Sequence, residues 1–193
     1  MSAGSYGIIV EGDYDSAVFD ALIRRLTSPD VHIKPLVCRG KTNLMKEFPG
    51  LLRAFEYEVE GNPVEMAIVI RDADGKDPRV VEDKMRMKIR GRNYPFPLNV
   101  RFYAVPQAMD AWLLADAGAI SAAVQGWGGK PVTKSHDDPE GLLDPKEWFR
   151  KLLTDHKAGY TAELCREIAQ KTDLQVLSQK CRRFHVFAEL VDC

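Results

Sequence analysis

Three carboxylates, Glu11, Asp13 and Asp15, crowd five positions directly after the apolar run Ile8-Ile9-Val10 in GIIVEGDYDS. A second group, Asp72 and Asp74, follows another apolar run in MAIVIRDADG. Carboxylates drawn together repel, and a hard dication with oxygen ligands, Mg²⁺ or Mn²⁺, is their natural compensator. Mg²⁺ keeps some of its waters and takes one or two carboxylates, which leaves positions for phosphate oxygens. With four or more carboxylates a second ion about 3.5–4 Å away becomes feasible, and the pair can stabilise both the attacking and the leaving oxygen. One or two such ions are therefore the cofactor expectation. A plainer explanation competes for each group: Asp13 and Asp15 cap a helix and complement its positive end, and Asp72 and Asp74 open a loop. Their coincidence behind two apolar runs favours the metal, with Glu11 and Asp15 as the candidates for chemistry and Asp13 as the cap.

The elements that must position these residues are legible from periodicity. Tyr6 to Val10 is too short for a helix and reads as a fully buried strand, as does Met66 to Ile70. A helix from Asp13 to Leu26 carries Ala17, Val18, Ala21 and Leu22 on one face. Val31 to Val37 is a second strand in which Pro35 implies an edge position or a break. The next helix, with Asn43 as its cap, carries Leu44, Phe48, Leu51, Leu52 and Phe55, and Pro49 predicts a kink or a division in two. Pro78 to Arg90 has a helical face, although KMRMKIR also alternates as a strand would. Val100 to Val105 is the fourth strand, and AMDAWLLADAGAI a helix breaking near Gly118. After a loop-like stretch, Asp144-Pro145 starts a helix through Leu153, and residues from Thr161 onward are helical with a break near Thr172-Asp173. This order predicts an α/β fold, a parallel sheet of about four strands flanked by helices, with a helical C-terminal region.

In such a sheet, ligands bind beyond the carboxyl ends of the strands at a topological switch point. Glu11 ends the first strand, and Asp72 and Asp74 the third. If Asp72-Ala73-Asp74 stays extended, both carboxylates face one ligand. Asp15, in the first helical turn, leans back over the same place. Asp110, at the head of a helix after the fourth strand, either completes the metal shell or complements a helix start.

These motifs resemble the Toprim domain, the metal-dependent catalytic fold of topoisomerases, bacterial primases and several nucleases. The likeness lies in IIVEG and IVIRDADG, and the Glu11-to-Asp15 spacing is similar to the overcoming-lysogenization-defect branch of Toprim nucleases. VPQAMDAWLLAD and KAGY…IAQKTDLQVL…CRRFHVF further resemble a bacterial family of Toprim-like proteins that accompany AAA- or ABC-type ATPases in antiphage defence loci. The resemblance implies a Toprim-like, Rossmann-like catalytic core over residues 1–117 and a mainly helical extension over 118–193 packed on it. It implies Mg²⁺- or Mn²⁺-dependent cleavage of phosphodiester bonds in DNA or RNA, and an ATPase partner. Glu11 would match the general acid/base or metal-ligand glutamate, and Asp72 and Asp74 the metal-binding pair. No tyrosine takes a topoisomerase role, so hydrolysis by an activated water is the simpler expectation.

Basic residues supply the remaining candidates. Lys157 could neutralise a transition-state phosphate; a solvated lysine is the competing reading, and base rates favour it. Arg71 could pair with Asp72 or meet a phosphate. Lys84 and Lys88, with Arg86 and Arg90 beside them, form two helical columns able to track a nucleic-acid backbone, or else a solvated face. The formal net charge of −1 excludes a globally basic nucleic-acid binder.

Four cysteines without a C-x-x-C pair, and the absence of a signal-type segment or a long apolar run, point to the cytoplasm and away from a membrane. A homo-oligomer is left open. Trp112, Trp148, Phe149, Phe184 and Phe187 suit core packing better than base stacking. Two other functions compete with the nuclease. One is a non-catalytic partner subunit of an ATPase complex. The other is a small-molecule phosphotransferase using an aspartate, which the position of the D-x-D after the third strand disfavours.

Overall fold

The computed structural model describes residues 4–56, 64–92 and 99–192; Cys193, counted above among the cysteines, lies outside them. Four strands, β1 (Ser5–Val10), β2 (His32–Val37), β3 (Met66–Asp72) and β4 (Asn99–Val105), form one parallel sheet in the order β2-β1-β3-β4. Strand β1 is buried along its whole length, because both faces of the sheet are covered. Its side chains divide with period two. Tyr6, Ile8 and Val10 enter a core with Val18, Leu22 and the C-terminal helices, whereas Ile9 enters a second core with Leu44, Phe48, Val81 and Met85.

The first face is covered by α1 (Asp13–Leu26) and by the later helices α4 (Asp110–Leu113), α5 (Ala117–Gly126), α6 (Pro145–Asp155), α7 (Ala162–Lys171), α8 (Leu174–Lys180) and α9 (Arg182–Asp192). The second is covered by α2 (Lys41–Leu51), a 3₁₀ turn (Leu52–Phe55) and α3 (Pro78–Ile89). Residues before and after position 117 contribute to the same core. The hydroxyls of Tyr6 and Tyr103 donate to the carbonyls of Val191 and Arg183, which ties α9 to two strands. Among the described residues, no helix is long and apolar enough to cross a membrane.

Several local expectations are refined. Pro35 sits within an unbroken β2, tolerated because β2 is an edge strand. The N-cap of α2 is Gly40 rather than Asn43, whose side-chain amide instead donates to the Arg39 carbonyl at 3.3 Å. Pro49 stays inside α2, which passes into the 3₁₀ turn three residues later, at Leu52. KMRMKIR is helical: Asp77 caps α3 by accepting from the Arg79 N–H at 2.9 Å, Pro78 takes the first turn, and Val81 and Met85 are buried.

The expected helix break near Gly118 lies earlier. The Asp116 carboxylate accepts from the N–H groups of Gly118 and Ala119, so a new helix starts there and runs through Gly118. Asp144 and Pro145 start α6 as anticipated. The C-terminal helices break at Thr172-Asp173 and once more at Cys181. Trp148 is no core residue; it is 54% exposed and meets His136 edge-on.

Gly7 on β1 faces the fully buried Phe55 ring, and a Cβ there would lie 2.6 Å from it. Gly7→Val should therefore destabilise the protein by about 1–3 kcal/mol through overpacking. Urea denaturation should show a lower midpoint at unchanged slope; an unchanged midpoint would contradict this packing.

Candidate functional site

The connections from β1 and β3 diverge, β1 leading to one side of the sheet and β3 to the other, so the switch point lies between their carboxyl ends. A hollow of about 420 Å³ opens there, and Glu11, Asp15, Asp72 and Asp110 all line it. A second hollow, also about 420 Å³, shares Glu11, Asp72 and Lys146 with the first and adds Lys41 and Asp74.

Each acid is placed by a local device. Val10 ends β1, and Gly12 is the extended N-cap of α1. Asp15, three residues on, reaches back to accept from the Gly12 N–H at 2.9 Å. The capping carboxylate is thus Asp15, while Asp13, expected to be the cap, is the first helical residue and exposed. Glu11 Oε1 accepts from the Asp72 N–H at 3.3 Å and lies 3.7 Å from Arg71 Nε. Those contacts bind the end of β1 to the end of β3. Arg39 (φ 54°) and Gly40 (φ 118°) turn the chain so that the Gly40 N–H donates to the Glu11 carbonyl at 2.8 Å. Gly40 tolerates its angle because it has no Cβ.

Asp72 closes β3, but the strand does not continue to Asp74. Asp74 has φ 50° and Gly75 φ 74°, a turn held by the Ala73 and Gly75 N–H groups on the carbonyls of Val105 and Pro106. Asp74 consequently stands on the rim, 41% exposed, with Lys41 Nζ at 2.7 Å. Asp72 and Asp74 still border one hollow, by way of a turn rather than an extended pair. Asp110, the first residue of α4, is 3% exposed and accepts from the Tyr160 hydroxyl at 2.7 Å.

The charges strain one another. Burial, and then the neighbouring Glu11 and Asp110, push the Asp15 carboxyl up to about 7. Burial, followed by Asp15 and Glu11, holds Asp72 well above the ordinary carboxylate range. Glu11 is also raised by burial, against the lowering effect of the Asp72 N–H and Arg71. Asp110 is raised by burial despite its bond from Tyr160 and the nearby Lys146. Buried like charges of this kind either take up protons or attract a cation.

By kind and number these donors fit a hard dication. As arranged, no three His, Cys, Asp or Glu side chains among the described residues stand together as a finished ligand shell. Three of the acids are engaged by other groups: Asp15 accepts from the Gly12 N–H, Asp74 from Lys41 and Asp110 from the Tyr160 hydroxyl.

The structure brings Glu11, Asp15, Asp72 and Asp110 together, with Asp74 at the rim and Arg71 beside Glu11. Lys157 is not among the lining residues; it is exposed on a turn at φ 60° after α6. Lys146 lines both hollows instead. It follows the helix-starting Asp144-Pro145, so its element was legible, but only the packing of α6 against α4 aims it at the acids. Tyr160 and Lys41 were missed as well. Lys84 and Lys88 border a separate hollow with Met45, Val80 and Met87, and share no wall with the acidic site.

A carboxyl raised in the folded state binds its proton more tightly there than in the unfolded chain. Its contribution is therefore favourable at low pH and is lost as pH rises from the ordinary value of 3.8 through about 7 for Asp15. Without added metal, Tm should fall between pH 5 and pH 8. Asp15→Asn, which keeps an acceptor for the Gly12 N–H, should raise Tm at pH 8 by about 3 °C or more and by clearly less at pH 5, which lies nearer the lower end of that window. A variant less stable than the parent at pH 8 would contradict the repulsion.

No curated protein matches the chain. Among solved structures, the C-terminal region of the Burkholderia pseudomallei OLD protein is similar along all of both chains, at 15% identity and a TM-score of 0.46. At that level the likeness transfers no residue role. A family model described as a domain of unknown function, DUF4276, matches residues 10–191. The chain belongs to the DUF4276 family.

Proposed function

We propose that this protein is a metal-dependent nuclease that hydrolyses phosphodiester bonds. One observation carries the reading: five carboxylates line a single hollow at the switch point of the sheet, and burial raises the proton affinity of Glu11, Asp15, Asp72 and Asp110. Such a group is costly unless a cation compensates it. Glu11, Asp15, Asp72 and Asp110 are the residues that would hold Mg²⁺ or Mn²⁺, with Asp74 able to join from the rim once Lys41 releases it. The bound ion would supply charge neutralisation at the phosphate and an activated water.

The chain's own residues do the rest. Lys146, facing both hollows, neutralises a phosphate oxygen, the role the sequence suggested for Lys157. Glu11, which accepts from the Asp72 N–H, would take a proton from an attacking water if the other carboxylates alone hold the ion. Arg71 limits the negative charge that Glu11 presents. Lys84 and Lys88 on exposed α3 would add contacts to the backbone of DNA or RNA, without reading its bases. The AAA- or ABC-type ATPase partner and the antiphage role that the sequence resemblance implies belong to the same proposal, as does a cytoplasmic location.

A second reading, a non-catalytic partner subunit, draws on a specific observation: Asp15, Asp74 and Asp110 are each already engaged by another group. Cleavage assays separate the two. With Mn²⁺ or Mg²⁺, the nuclease reading expects degradation of DNA or RNA that EDTA stops. Glu11→Gln and Asp72→Asn should lose about 10²–10⁴-fold in rate, and Lys146→Ala about 10²-fold. Lys157→Ala should stay near the parent. Full activity in Glu11→Gln or Asp72→Asn would refute the site, and no cleavage by the parent with either metal and its ATPase present would favour the second reading.

A further inference from the structure

Tyr160 stands where three parts of the molecule meet. It lies in the short segment between α6 and α7, and its hydroxyl donates to Asp110 Oδ1 on α4 at 2.7 Å. Its ring stacks on Tyr14 of α1, with centroids 4.5 Å apart and planes 9° from parallel. Its carbonyl accepts from the Tyr14 hydroxyl at 3.2 Å. The Arg150 guanidinium covers the ring at 4.9 Å and Lys146 Nζ lies 5.9 Å from its centroid.

This packing fixes the ring in place and therefore the direction of its hydroxyl. Tyr14 immediately precedes Asp15, so one residue spans from the helix that carries Asp15 to the helix that carries Asp110. The hydroxyl occupies one oxygen of Asp110; Oδ2 accepts from no other residue among those described, and Asp110 lines the acidic hollow.

We propose that Tyr160 is a positioning residue that orients Asp110 to present its second oxygen to a divalent cation, an inference that rests on the metal reading above. A carboxylate oriented by an outer hydrogen bond loses less freedom when it coordinates, and such partners typically contribute 10–100-fold in metal affinity. The stack on Tyr14 transmits this order from α1, and the Arg150 contact shields the ring's outer side. Tyr160 itself takes no proton and touches no phosphate in this role.

The test is Mn²⁺ binding by calorimetry at pH 7.5, on the parent, Tyr160→Phe, Asp110→Asn and the double variant. Phenylalanine keeps the ring stack and removes only the hydroxyl. Tyr160→Phe should bind Mn²⁺ about tenfold more weakly, Asp110→Asn at least as weakly, and the double variant no worse than Asp110→Asn alone. Parent-like affinity in Tyr160→Phe would overturn the inference while leaving the metal reading intact, and parent-like affinity in Asp110→Asn would overturn it and remove Asp110 from the metal's holders, leaving Glu11, Asp15 and Asp72. An equal further loss in the Asp110→Asn background would also overturn it, because Tyr160 would then act other than through Asp110. A parent that binds no Mn²⁺ would remove both proposals at once.

Discussion

Like charges kept from water repel strongly, and the carboxyl edge of this sheet gathers five carboxylates in one hollow, of which only Asp13 is exposed. Several groups around that hollow answer the repulsion. Backbone N–H groups meet Asp15 and Glu11, a tyrosine hydroxyl meets Asp110, and Lys41 holds Asp74 at the rim. These partners lessen the strain without cancelling it, since burial still raises the proton affinity of Glu11, Asp15, Asp72 and Asp110. A protein selected for stability alone would replace such a set with apolar groups of similar volume, which is often neutral or stabilising.

The fold provides the rigidity that makes this arrangement possible. Strands β1 and β3 pair in register, with Tyr6 to Ile9 opposite Met66 to Val69, and both are buried between helical layers. Their ends cannot drift apart, and the Glu11 side chain on the Asp72 N–H ties them once more. The C-terminal helices do more than cover the sheet. Helix α6 supplies Lys146, and the segment following it supplies Tyr160. The acidic site is thus shared between the sheet and the helices packed on its face.

Much of this was legible in the sequence, for physical reasons. Short apolar runs ending in an acid marked β1 and β3, and the β-α order implied parallel strands whose carboxyl ends meet at a switch point. Glu11, Asp15, Asp72 and Asp110 could therefore be named together. What could not be read depended on tertiary placement. Asp13 and Asp15 have the same side chain and lie two residues apart, and only the reach from the third helical position back to Gly12 shows which one caps. Asp74 would share a side with Asp72 only if the chain stayed extended, and the bonds of Ala73 and Gly75 to Val105 and Pro106 turn it first. Lys157 and Lys146 are equally plausible as isolated lysines, and the orientation of α6 decides between them.

In the proposed function, the hollow between β1 and β3 is a cation site. Anomalous scattering from a crystal soaked in Mn²⁺ tests it most directly, because it locates the ion independently of any turnover. A peak is expected bordered by Glu11 and Asp72, with Asp15 or Asp110 turned toward it. Well-defined density for the acidic side chains, still engaged by Gly12, Lys41 and Tyr160 with no peak among them at millimolar Mn²⁺, would contradict it.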